Sequence, residues 1–448
     1  MSTSSFSLFK DRLMEAIKYD YNHLKLPPVL LARVFLRALI LAGKNELAFK
    51  IASNLYRTGW AGSDRLGRDF ALHFFKRTNI GQELVRNAIT NIQPLPQTQK
   101  FFSKPEEMLN GIISVLKSPN GQEKGALLLN YSYYFLLFMK HYDVNAIMER
   151  YNIILEPSWA GFCEMDILAY GQLSHPAYLM VYEDRDRRFI DSLNLSLITL
   201  PIGPSWFVNH NKFVAPDSNV KRDIDVIMVA SWARFKRHRH FFKGLAELKS
   251  RGQKLNIVLV GYPVDLQQSE IRALAAQHGV EDMLTIYEWI QPSEVAALLQ
   301  RSKINIIWSK FEGNNRAIIE GMFSGTPAIL REGHNYGEHY DFINDATGCF
   351  ANERNLADTI LKMVQSPNQF SPRKYVMENR NCESATQIMN RIMRENELKA
   401  GRPWTTDLAV KVNELHGMHY LHEEDKNRFD EDYAALAEYI YLKGNARN

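Results

Sequence analysis

"IDVIMVASWARFKRHRHFFKGLAELKSRGQKLNIVLVGYP", residues 224–263, contains one full turn of the pattern that decides the fold. IDVIMVAS is a short apolar run rich in β-formers, RHFFKGLAELKSRG has helical periodicity, and LNIVLVGYP is a second apolar run. The alternation continues with SEIRALAAQHGV (269–280), MLTIYEWI (283–290), PSEVAALLQRS (292–302) and INIIWS (304–309). A helix opening near Arg316, the strand PAILRE (327–332) and the helix LADTILKMVQ (356–365) complete it. Short apolar strands, each followed by an amphipathic helix, predict a doubly wound parallel sheet with helices on both faces. Such sheets bind ligands in the crevice beyond the carboxyl ends of their strands.

A looser version of the same texture lies upstream. GALLLNYSYY (125–134), NIILEP (152–157), AYLMVYE (177–183) and LSLITLP (195–201) read as strands separated by helical segments such as FLLFMKHYDVNAIMERY (135–151). The polar, Pro- and Gly-punctuated stretch at 203–222 marks a boundary between two α/β halves. Before residue 100 the chain reads as helical: LPPVLLARVFLRALILAGKNELAFKIASNLYRTGW (26–60) predicts two helices hinged at Gly43-Lys44-Asn45, the first opened by Pro27 and Pro28. The expected organisation is a helical extension (1–100), a linker (101–120), an N-terminal Rossmann-like domain (121–215), a C-terminal Rossmann-like domain (222–395) and a helical tail (396–448). Two α/β halves facing one another would place a cleft at the carboxyl ends of both sheets.

Composition narrows the function classes. A chain of 448 residues exceeds one compact core, and 46% hydrophobic with 23% charged residues is the balance of a globular protein. A net charge of +4 is slight for this length and argues against a nucleic-acid partner. Three cysteines without pairing or metal-ligand spacing suit a reducing, cytoplasmic compartment. The first residues lack the basic-then-apolar build of a signal segment. VLLARVFLRALILAG (29–43) is interrupted by Arg33 and Arg37, too short to span a bilayer, and predicted to face a core. Its alternative reading is a helix lying on the inner surface of a membrane, which would make the protein peripheral there.

The chemistry concentrates in FEGNNRAIIEGMFSGTP (311–327), where Glu312 precedes a helix and Glu320 falls inside it. Amides of Gly313, Asn314 and Asn315 before a helix start would favour an anion, and carboxylates would grip hydroxyl groups. The plainer reading of Glu320 is an ion pair with Arg316, four positions earlier. A second basic stretch, VASWARFKRHRHFFKG (229–244), follows the first strand; the plainer reading there is that Lys236, Arg237 and Arg239 form a solvated face, or contact anionic lipid or nucleic acid. Glycines in FSGTP and FINDATGCF (342–350), Gly325 and Gly348, read as turn and packing elements.

Together, the glutamates separated by seven residues, EGMFSGTPAIL, VASWARFKR, the VLVGYP strand end and FINDATGCF resemble the donor-binding domain of retaining GT-B glycosyltransferases of the glycosyltransferase 4-like group. The resemblance covers residues 222 to 366. It implies transfer of a sugar from a UDP-, GDP- or ADP-sugar to a glycan, lipid-linked or small-molecule acceptor, with no cofactor and no metal. It also implies that Glu312 holds the donor sugar, Glu320 the ribose, and Lys236 the diphosphate. Ser231 stands where the family carries an arginine, with Arg234 the substitute; Gly313, Asn314, Asn315 and Arg316 would complete the donor site. The chain departs from the family at Asn314 and Asn315, and it lacks the glycine-rich loop after the first strand of the N-terminal half. On the acceptor side the strand ends offer Asn130, Tyr131, Glu156, Trp159 and Glu183 to Asp186, with His210 near the boundary. His334 and His339, in a loop after a strand, are further candidates. Two other readings remain: a nucleotide-sugar-binding module without activity, and a metal-dependent GT-A transferase using Asp184 and Asp186.

Overall fold

The computed structural model describes residues 13–76, 78–310, 312–333, 340–414 and 417–441, so His334 and His339 lie outside the described residues. Contacts divide the chain into two α/β units: residues 22–207 with those after 381, and residues 208–381 with those before 22.

In the first unit the strands are β1 (Ile113–Lys117), β2 (Gly125–Asn130), β3 (Tyr151–Glu156), β4 (Ala177–Met180) and β5 (Leu197–Leu200). They lie side by side in chain order. β1 runs antiparallel to β2, and the remaining pairs are parallel. Successive side chains point to opposite faces. Leu127, Leu129, Ile153, Leu155 and Leu179 therefore join Phe135, Phe138 and Ile147 of the crossover helices, together with Tyr56, Leu66 and Phe70 of the helical region. Ala126, Leu128, Ile154, Tyr178 and Met180 point the other way and meet Cys382, Ala385, Met389 and Met393 of the helix Cys382–Lys399.

That second face explains why the organisation differs from expectation. Parallel strands laid down in chain order, with right-handed crossovers, put their connecting helices on one side of the sheet. The other side is apolar and is covered by the helix Cys382–Lys399, which the sequence assigned largely to the C-terminal domain. Residues after 396 are also less helical than expected: β12 (Lys411–Glu414) and β13 (Gly417–Tyr420) form an antiparallel hairpin before a last helix, Asp430–Ala437. The stretch expected to be a linker contains β1. The helical region itself follows the sequence closely, with helices Leu26–Leu41, Asn45–Thr58, Ser63–Phe75 and Thr78–Thr90 and a hinge at Gly43.

The second unit holds β6 (Ile224–Val229), β7 (Ile257–Gly261), β8 (Leu284–Glu288), β9 (Ser302–Ile307), β10 (Ala328–Arg331) and β11 (Gly348–Ala351). The sheet order is β11-β10-β9-β6-β7-β8, with every pair parallel. The chain builds outward from β6 in one direction, returns to its other side at β9, and builds outward again. The reversal lies between β6 and β9, whose register pairs Ile224 with Ser302 and Ile227 with Asn305. β11, unmarked in the sequence because GCFA is short and opens on glycine, starts at a residue that admits no side chain. Gly348 has φ +153°, and a Cβ there would sit 2.0 Å from the carbonyl oxygen of Ala328.

Gly348→Ala should therefore displace β11 from β10 and lower stability by about 3 kcal/mol, measurable by urea unfolding. A change under about 0.5 kcal/mol would mean that this edge of the sheet yields freely.

Candidate functional site

The loops leaving β6 and β9 meet beyond the reversal point. After β6 the chain is steered by Trp232, which is fully buried. Its backbone N–H donates to the carbonyl of Tyr262, and its own carbonyl accepts from Leu266 N–H at 2.9 Å. This anchors a short 3-10 turn, Arg234–Lys236, whose first N–H donates to Asp265 Oδ2 at 3.0 Å. After β9, the N–H of Lys310 donates to the carbonyl of Phe235 at 2.9 Å, joining the two loops through their backbones.

The side chains meet at the same place. Lys236 Nζ donates to Glu312 Oε1, which also accepts from the hydroxyl of Ser309. Lys236 and Glu312 are both buried. A buried ion pair with an added hydroxyl donor compensates part of the cost of removing two charges from water. Sequence reasoning placed Lys236 and Glu312 near a common ligand without expecting them to touch. It overlooked Ser309, visible as the hydroxyl three residues before Glu312, and Tyr340, whose hydroxyl donates to the carbonyl of Gly313 at 2.6 Å.

The helix Arg316–Phe323 follows. Asn315 caps it: its side-chain oxygen accepts from Ile318 N–H at 3.3 Å, with extended backbone at φ −70° and ψ 116°. Neither Asn314 nor Asn315 is in the left-handed region that their side chains tolerate, and the Asn315 side chain is committed to the cap. The helix is held against β9 by Asn305, whose Nδ2 donates to the carbonyl of Ala317 at 2.8 Å. A Cβ on Gly321 would come within 2.7 Å of that nitrogen, so the glycine of EGMF permits the close approach.

Glu320 is mostly buried on this helix, and Arg316 Nη2 lies 3.7 Å from its Oε1. The plainer ion pair thus exists, but beyond hydrogen-bond length. Burial pushes the Glu320 carboxyl up from its usual range, and Arg316 only partly offsets this. Ser231 is half-buried on the β6 loop, as is Arg234. His210 packs against Phe323, at a ring separation of 5.8 Å, and so lies at the far end of the helix from its cap.

The plainer reading of this stretch, a solvated basic face, is overturned. Arg237 is buried, with φ +57°, and pairs with Asp20 at 3.0 Å and Glu353 at 3.9 Å. Arg239 pairs with Glu15 at 3.1 Å, and Tyr19 packs on Phe235. Residues 13–20 thus neutralise two of the three cations, which no local pattern could reveal. His238, fully buried beside Lys236, is held neutral, its pKa pushed down to about 3 by burial first and by Lys236 second.

In the other unit, Asn130 ends β2 with its side-chain amide buried and neither polar atom bonded to a described residue. Tyr131 follows at φ +66°, its N–H donating to the carbonyl of Glu156. Glu156 is buried with Lys411 and Asn413, and Trp159 Nε1 donates to Glu164. The metal-dependent alternative fails at Asp184 and Asp186. Asp186 accepts from the Tyr56 hydroxyl at 2.8 Å and from the N–H groups of Gly161 and Phe162 at 2.7 and 3.1 Å. Asp184 pairs instead with Arg187 at 2.7 Å. One carboxylate is consumed by the fold and the other turned to a helix neighbour, so no pair remains for a cation.

Residues 211–382 match the family model described as glycosyl transferases group 1. No curated protein matches the chain. Among solved structures it is similar to sucrose-phosphate synthase from Thermosynechococcus elongatus, at 16% identity over 62% of this chain and 74% of that one, with a TM-score of 0.46. It is also similar to Anabaena HepE in complex with UDP, at 11% identity over 60% of this chain and 78% of that one, with a TM-score of 0.47. The lipopolysaccharide outer core galactosyltransferase WaaB is similar at 13% identity over 71% and 82%, with a TM-score of 0.44.

His238 supplies a pH test. Below pH 6.5 the unfolded chain takes up a proton that the folded chain refuses until about pH 3, so stability falls as pH drops through that window. From pH 7 to 5 the loss traceable to His238 should be about 2 kcal/mol. His238→Gln should flatten the pH dependence of denaturant unfolding by that amount; an unchanged slope would mean that His238 is protonated in the folded state.

Proposed function

We propose that this protein is a retaining GT-B glycosyltransferase that moves a sugar from a nucleotide-diphosphate sugar to a hydroxyl acceptor, a glycan or a lipid-linked or small molecule. The observation that carries the reading is the meeting of Lys236 and Glu312 beyond β6 and β9, the two strands flanking the reversal of a parallel sheet. Ligands of such sheets bind at that position. The match of residues 211–382 to the glycosyl transferases group 1 model supports the same substrate class.

On this reading Lys236 exchanges its contact with Glu312 for the donor's diphosphate, and Arg234 adds a planar, permanently charged donor. Both stabilise the charge that develops on the diphosphate as the sugar's anomeric bond breaks. The helix start at Arg316 would offer its first backbone amides and positive end to the same phosphates, with Gly313, Asn314 and Ser231 on the flanking loops. Glu312, freed from Lys236, accepts from sugar hydroxyls, and Glu320 accepts from the ribose. Its burial makes that bond stronger than the same contact in water. The chain needs no carboxylate nucleophile on this reading, since the acceptor attacks from the face the diphosphate leaves. Within the unit built on β1 to β5, the candidates for acceptor contacts are Asn130, with its unbonded buried amide, and Tyr131. No metal is required, the diphosphate charge being met by Lys236 and Arg234.

The test is calorimetric binding of UDP, GDP and ADP, each alone and carrying a sugar. At least one should bind, and Lys236→Gln should weaken it by about 10- to 100-fold, the scale of a charge-assisted hydrogen bond. Glu320→Ala should weaken it by roughly 1–3 kcal/mol. Glu312→Gln should spare the nucleoside diphosphate and remove the preference for the sugar-bearing form. No binding by any nucleotide, or full affinity in Lys236→Gln, would refute the donor site. Binding without transfer to any acceptor would leave a nucleotide-sugar-binding module instead.

A further inference from the structure

The helix Leu26–Leu41 is apolar on two opposite faces. Val29, Leu36 and Leu39 are buried against the neighbouring helices. On the other side Leu30, Leu31, Val34, Phe35 and Leu41 are 51%, 72%, 67%, 55% and 89% exposed. At 100° per residue, Leu30, Val34 and Leu41 fall within about 40° of one another, with Leu31 and Phe35 widening the stripe on one flank and Arg37 bordering the other. A helix apolar on both faces normally has both covered. Among the described residues nothing covers the outer one. A contiguous apolar surface of this kind marks an interaction site.

The charge around it says with what. Between Asp20 and Glu46 there is no acidic residue, while His23, Lys25, Arg33, Arg37 and Lys44 are basic. Arg33 is occupied by Asp69, and Lys25 lies over the Trp60 ring at 5.5 Å. Arg37 and Lys44 are exposed, Arg37 bordering the stripe by helical angle and Lys44 following the helix's last turn. A second copy of this face would bring cation against cation, whereas an anionic bilayer surface complements both the apolar stripe and its basic border. At 16 residues the helix is about 24 Å long, short of the roughly 30 Å hydrocarbon thickness, and no described helix is long and apolar enough to cross a membrane. The geometry is that of a helix lying in the plane of the interface.

We propose that this outer face docks the protein on an anionic lipid surface, with Leu30, Leu31, Val34, Phe35 and Leu41 inserted among the acyl chains and Arg37 and Lys44 at headgroup level. The proposal is independent of the donor site and holds whether or not the chain transfers a sugar.

Vesicle flotation of the full chain tests it, using phosphatidylcholine alone and phosphatidylcholine containing phosphatidylglycerol. The chain should float with the anionic vesicles and weakly or not at all with the neutral ones. Leu31→Ser/Val34→Ser/Phe35→Ser should cut that binding about tenfold or more while leaving the circular dichroism melt unchanged, because these side chains are exposed. Arg37→Glu/Lys44→Glu, which touches no apolar contact, should also weaken it and reduce its salt dependence. Absence of flotation by the full chain, or undiminished binding by the serine variant, would overturn the proposal. So would a concentration-dependent dimer abolished by the serine variant, which would make the face a self-interface.

Discussion

A parallel sheet presents two apolar faces, and neither can be left to water. In the unit built on β1 to β5, crossovers cover one face and the helix Cys382–Lys399 covers the other. Strand order forces this, because strands added one after another in the same direction place every right-handed crossover on the same side. In the unit built on β6 to β11 the chain solves the same problem by reversing direction at β6. Crossovers built outward in opposite directions fall on opposite faces, so this sheet supplies its own cover and needs no distant helix.

The reversal has a second consequence. The helices that follow β6 and β9 lie on opposite faces, while the loops leading into them meet at the reversal. There the chain places a lysine from one loop and a glutamate from the other, both buried and bonded to each other. Such a pair costs desolvation that its attraction only partly returns. Trp232, the Lys310 to Phe235 backbone bond and the Asn315 cap hold it in place. A site on which the fold spends so much polar order is suited to a ligand able to replace both partners at once. On the function proposed above, a molecule carrying phosphate and hydroxyl groups would do so, the phosphate for Lys236 and the hydroxyls for Glu312.

Much of this was legible in the chain. The strands β2 to β10 and their helices follow from apolar runs of fixed length alternating with amphipathic segments. The turn glycines and the hinge at Gly43 follow from local chemistry. What escaped local reading depends on residues far apart in sequence. The pairing of Arg237 with Asp20 and of Arg239 with Glu15 spans more than two hundred positions, and turned a basic stretch into a neutralised one. Asp186 reads locally as half of a metal-binding pair, yet Tyr56 and two backbone amides from another loop consume it.

The sequence by itself determined the class of most elements and the α/β character of both halves, because these depend on periodicity, residue size and the short-range conformational limits of glycine, proline and asparagine. Only the tertiary structure decided which charges remain available and which are spent. It also decided which apolar faces find cover: Cys382–Lys399 completes a sheet, while the outer side of Leu26–Leu41 stays exposed. The physical reason is the same in each case. Burial and ion pairing are properties of what arrives from elsewhere in the chain, and no window of neighbouring residues contains that information.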